Sequence, residues 1–185
     1  MSSILKVDQL QDSGGNNLVT SNGSGVITSS AFGKVLQVVQ TVKTDTQSTT
    51  GQTYVDGMTL NITPSSTSSK ILIFSSANIG ISDAGLRAMT RLMRDSTAIF
   101  IGDSAGSRSR DSWQGGSFST ASSQSINHTF LDSPNTTSQV TYKFQFKSET
   151  SNNAYIVYLN RSHVDSDSTG YGRGASSITA MEISG

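Results

Sequence analysis

Residues 140–147 read Val-Thr-Tyr-Lys-Phe-Gln-Phe-Lys, and this segment leaves the chain little conformational choice. In an extended chain, successive side chains point to opposite faces. Val140, Tyr142, Phe144 and Phe146 then share one face, and Thr141, Lys143, Gln145 and Lys147 share the other. A helix would scatter the same aromatics around its circumference. The segment is predicted to be a half-buried β-strand, in a sheet with a second layer packed against its aromatic row.

The pattern continues through the rest of the chain. Strands are predicted over residues 34–42, 54–62, 70–74, 97–101, 117–122, 126–131, 154–159 and 177–183, with 77–81 continuing the third beyond a bend. Residues 86–95 admit two descriptions. Arg87, Arg91 and Arg94 recur at helical spacing, with Leu86, Met89 and Met93 opposite. An extended chain instead puts Leu86, Ala88, Thr90 and Leu92 on one face, and the Asp95-Ser96 turn into an apolar run favours that strand. Asp132-Ser133-Pro134-Asn135 reads as a turn. Long loops are expected over residues 102–116, with Trp113 at the far end, and over 163–174. So many short strands predict an all-β fold, an antiparallel β-sandwich of jelly-roll type over residues 34–185.

Residues 1–33 have a different texture. Ile4, Leu5, Val7 and Leu10 form an apolar cluster too small for a core of its own. Gly/Asn-rich turns follow, and residues 17–20 and 26–28 are expected to pair as a hairpin closed by 21–25. The segment is expected to be an anchoring arm that buries those four side chains on its own domain, a sister subunit or another protein.

Charge and composition exclude several classes. Thirteen basic and 13 acidic residues cancel, so neither nucleic-acid binding by counterion release nor a polybasic membrane anchor is expected. No segment approaches the ~18 apolar residues of a membrane span. No basic run precedes an apolar one at the N-terminus, so no secretory leader is expected. With no cysteine, disulfides, thiolate catalysis and Cys-ligated zinc are all ruled out. Charged residues make up only 14% of a chain dense in Ser, Thr, Gly and Asn, a surface texture associated with adhesins and virion proteins.

Three stretches carry a family resemblance: Ser3-Ile4-Leu5-Lys6-Val7-Asp8-Gln9-Leu10 with its Gly/Asn-rich sequel, Leu92-Met93-Arg94-Asp95-Ser96-Thr97-Ala98-Ile99, and Phe130-Leu131-Asp132-Ser133-Pro134. The chain resembles virion structural proteins of tailed phages that infect aquatic bacteria, cyanobacteria included. The resemblance implies a trimeric jelly-roll protein displayed on the particle, as a capsid decoration (cement or head-fibre) protein or as part of a tail fibre. It also implies attachment through the N-terminal segment. No motif in it is catalytic.

Tested for chemistry, the sequence offers little. His163, Asp165 and Asp167 alternate and would share a face, the ligand types of a Ca²⁺ or transition-metal site, but too few oxygens accompany them and a solvated polar loop is the favoured account. Neither His128 nor His163 lies near a nucleophile-elbow sequence. The acids Asp103, Asp111, Asp132 and Glu149 all sit in turn-like contexts rather than as a glycosidase pair. No catalytic residue, metal or cofactor is therefore assigned, and the chain is expected not to be an enzyme. Trp113, Tyr171 and Arg173 are the candidate contacts to a ligand or receptor such as a host-surface glycan, because aromatic and arginine side chains dominate binding hot spots. The competing account makes Trp113 a core or subunit-interface anchor and residues 170–174 a loop that needs glycine for room. The expectation is a homotrimeric virion protein, made in the host cytoplasm, that contacts a capsid or tail protein.

Overall fold

A computed structural model describes residues 7–25, 27–28, 34–152 and 154–185, and within them the chain forms strands without helices. The first three, β1 (Gln9–Gln11), β2 (Asn17–Ser21) and β3 (Ile27–Thr28), make a small antiparallel sheet. The Asp12 carboxylate accepts from the backbone N–H groups of Gly14 and Asn16 at 2.8 and 2.9 Å and fixes the β1–β2 turn. Gly23 and Gly25, at φ of 74° and 82°, turn β2 into β3, as the Gly/Asn pattern predicts.

The other strands are β4 (Val35–Lys43), β5 (Gln47–Thr49), β6 (Val55–Ile62), β7 (Lys70–Ile81), β8 (Arg87–Arg94), β9 (Thr97–Ile99), β10 (Trp113–Gly116), β11 (Ser123–Asp132), β12 (Val140–Ser148), β13 (Val157–Leu159) and β14 (Ser176–Ile183). They divide into two antiparallel sheets. One runs β4-β14-β7-β11, with β13 and β5 continuing from the far end of β7; the other runs β10-β8-β12-β6, with β9 on β8. Lettered B to I in chain order, the eight principal strands β4, β6, β7, β8, β10, β11, β12 and β14 give sheets B-I-D-G and C-H-E-F. That is the strand order of a jelly roll.

The β12 alternation closes this sandwich. Tyr142, Phe144 and Phe146 are buried, and they share one core with Ile71, Ile73, Ile79 and Ile178 of the opposite sheet. β7 is paired along both edges, with β14 and β13 on one side and β11 on the other, so residues 75–76 are ordinary strand residues rather than a bend. One buried carboxylate bridges the layers. Asp132 on β11 accepts from Arg94 at 2.9 and 3.0 Å and from the Tyr142 hydroxyl at 2.6 Å, which compensates its removal from water.

Two local expectations are corrected, and one strand is new. Residues 86–95 do adopt the strand, but residues 117–122 are a turn, where Ser119 caps its own neighbours through hydroxyl and carbonyl. Trp113 opens a strand instead of ending a loop, and residues 47–49 pair with β13 although nothing apolar announces them.

Truncating Phe144 to Ala should destabilise the sandwich by about 3–5 kcal/mol in urea unfolding. Lys143→Ala, next in sequence but outward and paired with Asp56 at the surface, should cost no more than about 1 kcal/mol.

Candidate assembly surfaces

Register fixes which loops share an end of the sandwich. Val35 pairs with Ile183, Ile183 with Lys70, and the Ser184 N–H donates to the Lys34 carbonyl at 2.9 Å. The chain thus enters the sandwich at Lys34 beside residues 63–69 and 133–139. Residues 82–86, 117–122, 149–152 and 154–156 lie at the opposite end, and residues 160–175 belong to that far half.

That long loop is pinned to the sheet beneath it. Asn160, at φ of 67°, donates to the Lys43 and Asp45 carbonyls at 2.8 and 2.9 Å. The Arg161 carbonyl crosses directly over Gly80, where a Cβ would lie 2.2 Å from it, so glycine is required there. Asn78 donates to the Ala175 carbonyl at 2.6 Å. The loop therefore covers the outward face of β7 at Asn78 and Gly80.

The predicted contact residues are distributed unevenly. Ile4 and Leu5 lie outside the described residues. Val7 and Leu10 are 55% and 54% exposed on the small N-terminal sheet, beside a groove of about 480 Å³ that Val19 and Gly25 also line. Trp113 is half-buried against the sandwich core with its indole folded over Gly115. Tyr171 and Arg173 share the 160–175 loop. Arg173 donates to Asp165 at 3.2 and 2.8 Å, and Arg161 pairs with the same carboxylate at 3.2 Å. Tyr171 and Arg173, two residues apart in sequence, thus lie on this loop, and Trp113 lies on the other sheet. His163 is engaged by the Tyr158 hydroxyl at 2.9 Å, and among the described residues no three acidic or imidazole side chains gather as a metal site.

The other histidine lies inside the sandwich. His128 on β11 meets the Ser75 hydroxyl at 3.2 Å through Nδ1 and the Thr90 hydroxyl at 3.2 Å through Nε2. Both ring nitrogens are engaged, no carboxylate orients the ring, and Phe144 packs 5.8 Å from it, centroid to centroid. Burial pushes its pKa from 6.5 down to about 4, so the ring is neutral. Ser75 is the neighbour of His128 within its own sheet, whereas Thr90 lies on β8 of the other, so the ring ties the two layers together through Thr90. Sequence reasoning did not foresee the tie, because neither hydroxyl is near His128 in sequence.

The two outward faces of the sandwich are chemically unlike. On the β6-β12-β8 face, Lys143 pairs with Asp56 at 2.7 Å and Arg91 donates to Gln145 at 2.8 Å. The Arg91 guanidinium and the Lys147 ammonium stack 4.0 and 4.7 Å from the Tyr54 ring centroid. The Tyr54 hydroxyl donates to Asp111. This face is built for water. On the β4-β14-β7-β11 face, Val38, Met181, Leu72 and Leu131 stand directly across from one another in a row that crosses all four strands. Val38 and Leu131 are 56% and 54% exposed, and Phe74 in the next row is 40% exposed.

No protein-family model matches the chain, and no curated protein matches it in sequence. Among solved structures, it is similar to T=1 particles derived from infectious bursal virus (10% identity, TM-score 0.45, 88% of this chain and 43% of that chain). It is also similar to the Gx strain of infectious bursal disease virus (12% identity, TM-score 0.42, 86% and 42%) and to a VP2 subviral particle of that virus (11% identity, TM-score 0.36, 88% and 43%). The chain spans less than half the length of each. The jelly-roll assignment rests on the strand order and register described above.

Two groups make the fold acid-sensitive. The unfolded chain binds a proton at His128 below about pH 6.5 and the folded chain only below about 4, so stability falls as pH drops through that window. At Glu182, burial alone would raise the pKa. Donors from Ser65 and Gln37 at 2.6–2.7 Å outweigh it and bring the pKa from 4.5 down to about 2, so its stabilisation is lost between those values. Unfolding free energy should drop by about 2 kcal/mol between pH 7 and pH 5, and His128→Gln should remove most of that slope.

Proposed function

We propose that the chain is a non-enzymatic structural protein of a virus particle: a homotrimer that decorates the capsid of a tailed phage and is held there by its N-terminal arm. The observation that carries this reading is the arm itself. Val7 and Leu10 are more than half exposed on a sheet of three short strands, too small to supply a core. Covering such side chains contributes about 1.5–3 kcal/mol each before ordering costs are subtracted. Three arms per trimer multiply the attachment without tightening any single contact. The partner surface belongs to a capsid or tail protein, and the location is the virion. The phage-protein resemblance of the sequence supports the same reading.

A tail-fibre module that binds a host receptor or glycan is the second reading. It is favoured by the position of Tyr171 and Arg173 in the half of the sandwich remote from Lys34, beside a groove of about 330 Å³ lined by Ser122, Ser123 and Ser162. In that case Arg173→Ala should abolish binding of the isolated protein to host cells. Under the decoration reading the variant behaves as the wild type.

Deleting residues 2–12 tests the first reading. The truncated protein should keep its oligomeric state yet fail to rebind particles stripped of it. Rebinding at the wild-type level would overturn arm attachment.

A further inference from the structure

The outward face of the β4-β14-β7-β11 sheet is an unpartnered apolar surface, and the geometry points to a second copy of this chain as its occupant. The row Val38-Met181-Leu72-Leu131 forms its centre, Phe74 flanks it, and Gln40 and Thr129 begin a polar border. This is the organisation of an interface, an apolar centre inside a polar rim. A solvated antiparallel face would carry polar residues at these outward positions, as the β6-β12-β8 face does.

Extent and charge argue for a like copy. Four strands ~4.8 Å apart, read over four outward rows ~6.8 Å apart, span roughly 500 Å² in projection, the apolar row and its polar border taken together. That is more than half of the ~800 Å² each partner contributes to a standard interface. Among the outward residues of these four strands only Lys70 is charged, and it donates to the Ser133 hydroxyl at 2.9 Å at the margin. A neutral face meets its own copy without like-charge repulsion, and offers nothing to steer a charged partner.

The chain's own coverage stops short of the row. Residues 160–175 lie over Asn78 and Gly80, at the far end of β7, and leave Leu72 and Phe74 beyond them. At the other margin the register slips between Glu182 and Ile183, so Val35 and Leu36 both remain exposed at 50% and 43%. Among the described residues, no strand pairs with the free edge of β4, which borders the same surface.

This inference deepens the homotrimer reading and rests on it: the apolar row turns toward the oligomer axis. The cysteine-free chain allows a direct test, with single thiols introduced as Leu131→Cys, Phe74→Cys and, on the opposite face, Thr59→Cys. In the assembled protein, maleimide should label the first two at least about tenfold more slowly than the third, and dilution should erase the difference. In addition, Val38→Glu with Leu131→Glu should weaken self-association by on the order of a hundredfold while keeping the β-sheet circular dichroism of the wild type. Equal labelling of all three thiols at every concentration, or undiminished self-association of the double variant, would overturn the inference. Loss of particle rebinding with the thiols still protected would count against virion attachment alone. Unprotected thiols in a protein that rebinds normally would count against this interface alone.

Discussion

Burial of the Tyr142-Phe144-Phe146 row on β12 is the contact on which the rest of the sandwich depends. Side chains in a strand alternate strictly, so committing one face to the core commits the intervening residues to the other. Thr141, Lys143, Gln145 and Lys147 are thereby sent outward, where Asn61, Asp56, Arg91 and Tyr54 meet them. The opposing sheet obeys the same rule. Ile71, Ile73, Ala77 and Ile79 of β7 face the aromatic row, which obliges Leu72 and Phe74 to face away.

The consequence is a molecule with two unequal exteriors. One sheet presents ion pairs and stacked cations to water. The other presents aliphatic side chains, and the chain's own long loop covers only its far end. Together with Val7 and Leu10 on the arm, the chain carries two separate apolar surfaces that its own core does not absorb. Three buried titratable side chains are each held by hydrogen bonds: His128 between two hydroxyls, Asp132 between Arg94 and Tyr142, Glu182 among Ser65 and Gln37. Of these contacts, His128 with Thr90 and Asp132 with Arg94 and Tyr142 cross between the sheets, while the exposed apolar side chains form the surfaces proposed for association.

Much of this fold was legible in the sequence wherever alternation was strong. β12, β6, β14 and the strand over residues 87–94 follow from their apolar spacing, and the turns at residues 21–25 follow from glycine. What escaped has a physical reason. β5 and the pairing of β10 depend on neighbours distant in sequence, so local propensity carries no trace of them. Residues 117–122 resemble a strand only because hydroxyl side chains suit both strands and capped turns. The apolar outer row was hidden for another reason. Val38, Leu72, Leu131 and Met181 each look like ordinary core residues in their own strands, and only the pairing register lines them up on the outside. Of the candidate contacts, Tyr171 and Arg173 do share one loop, whereas Trp113 is spent on packing beside Gly115, a contact that spacing alone does not reveal.

The central claim is that this sandwich is made to associate through surfaces its own core leaves bare. Sedimentation equilibrium of the intact chain over a wide concentration range tests it most directly. The account predicts a reversible assembly whose mass is a multiple of 19.5 kDa and which dissociates on dilution. A species of 19.5 kDa at every concentration would contradict it.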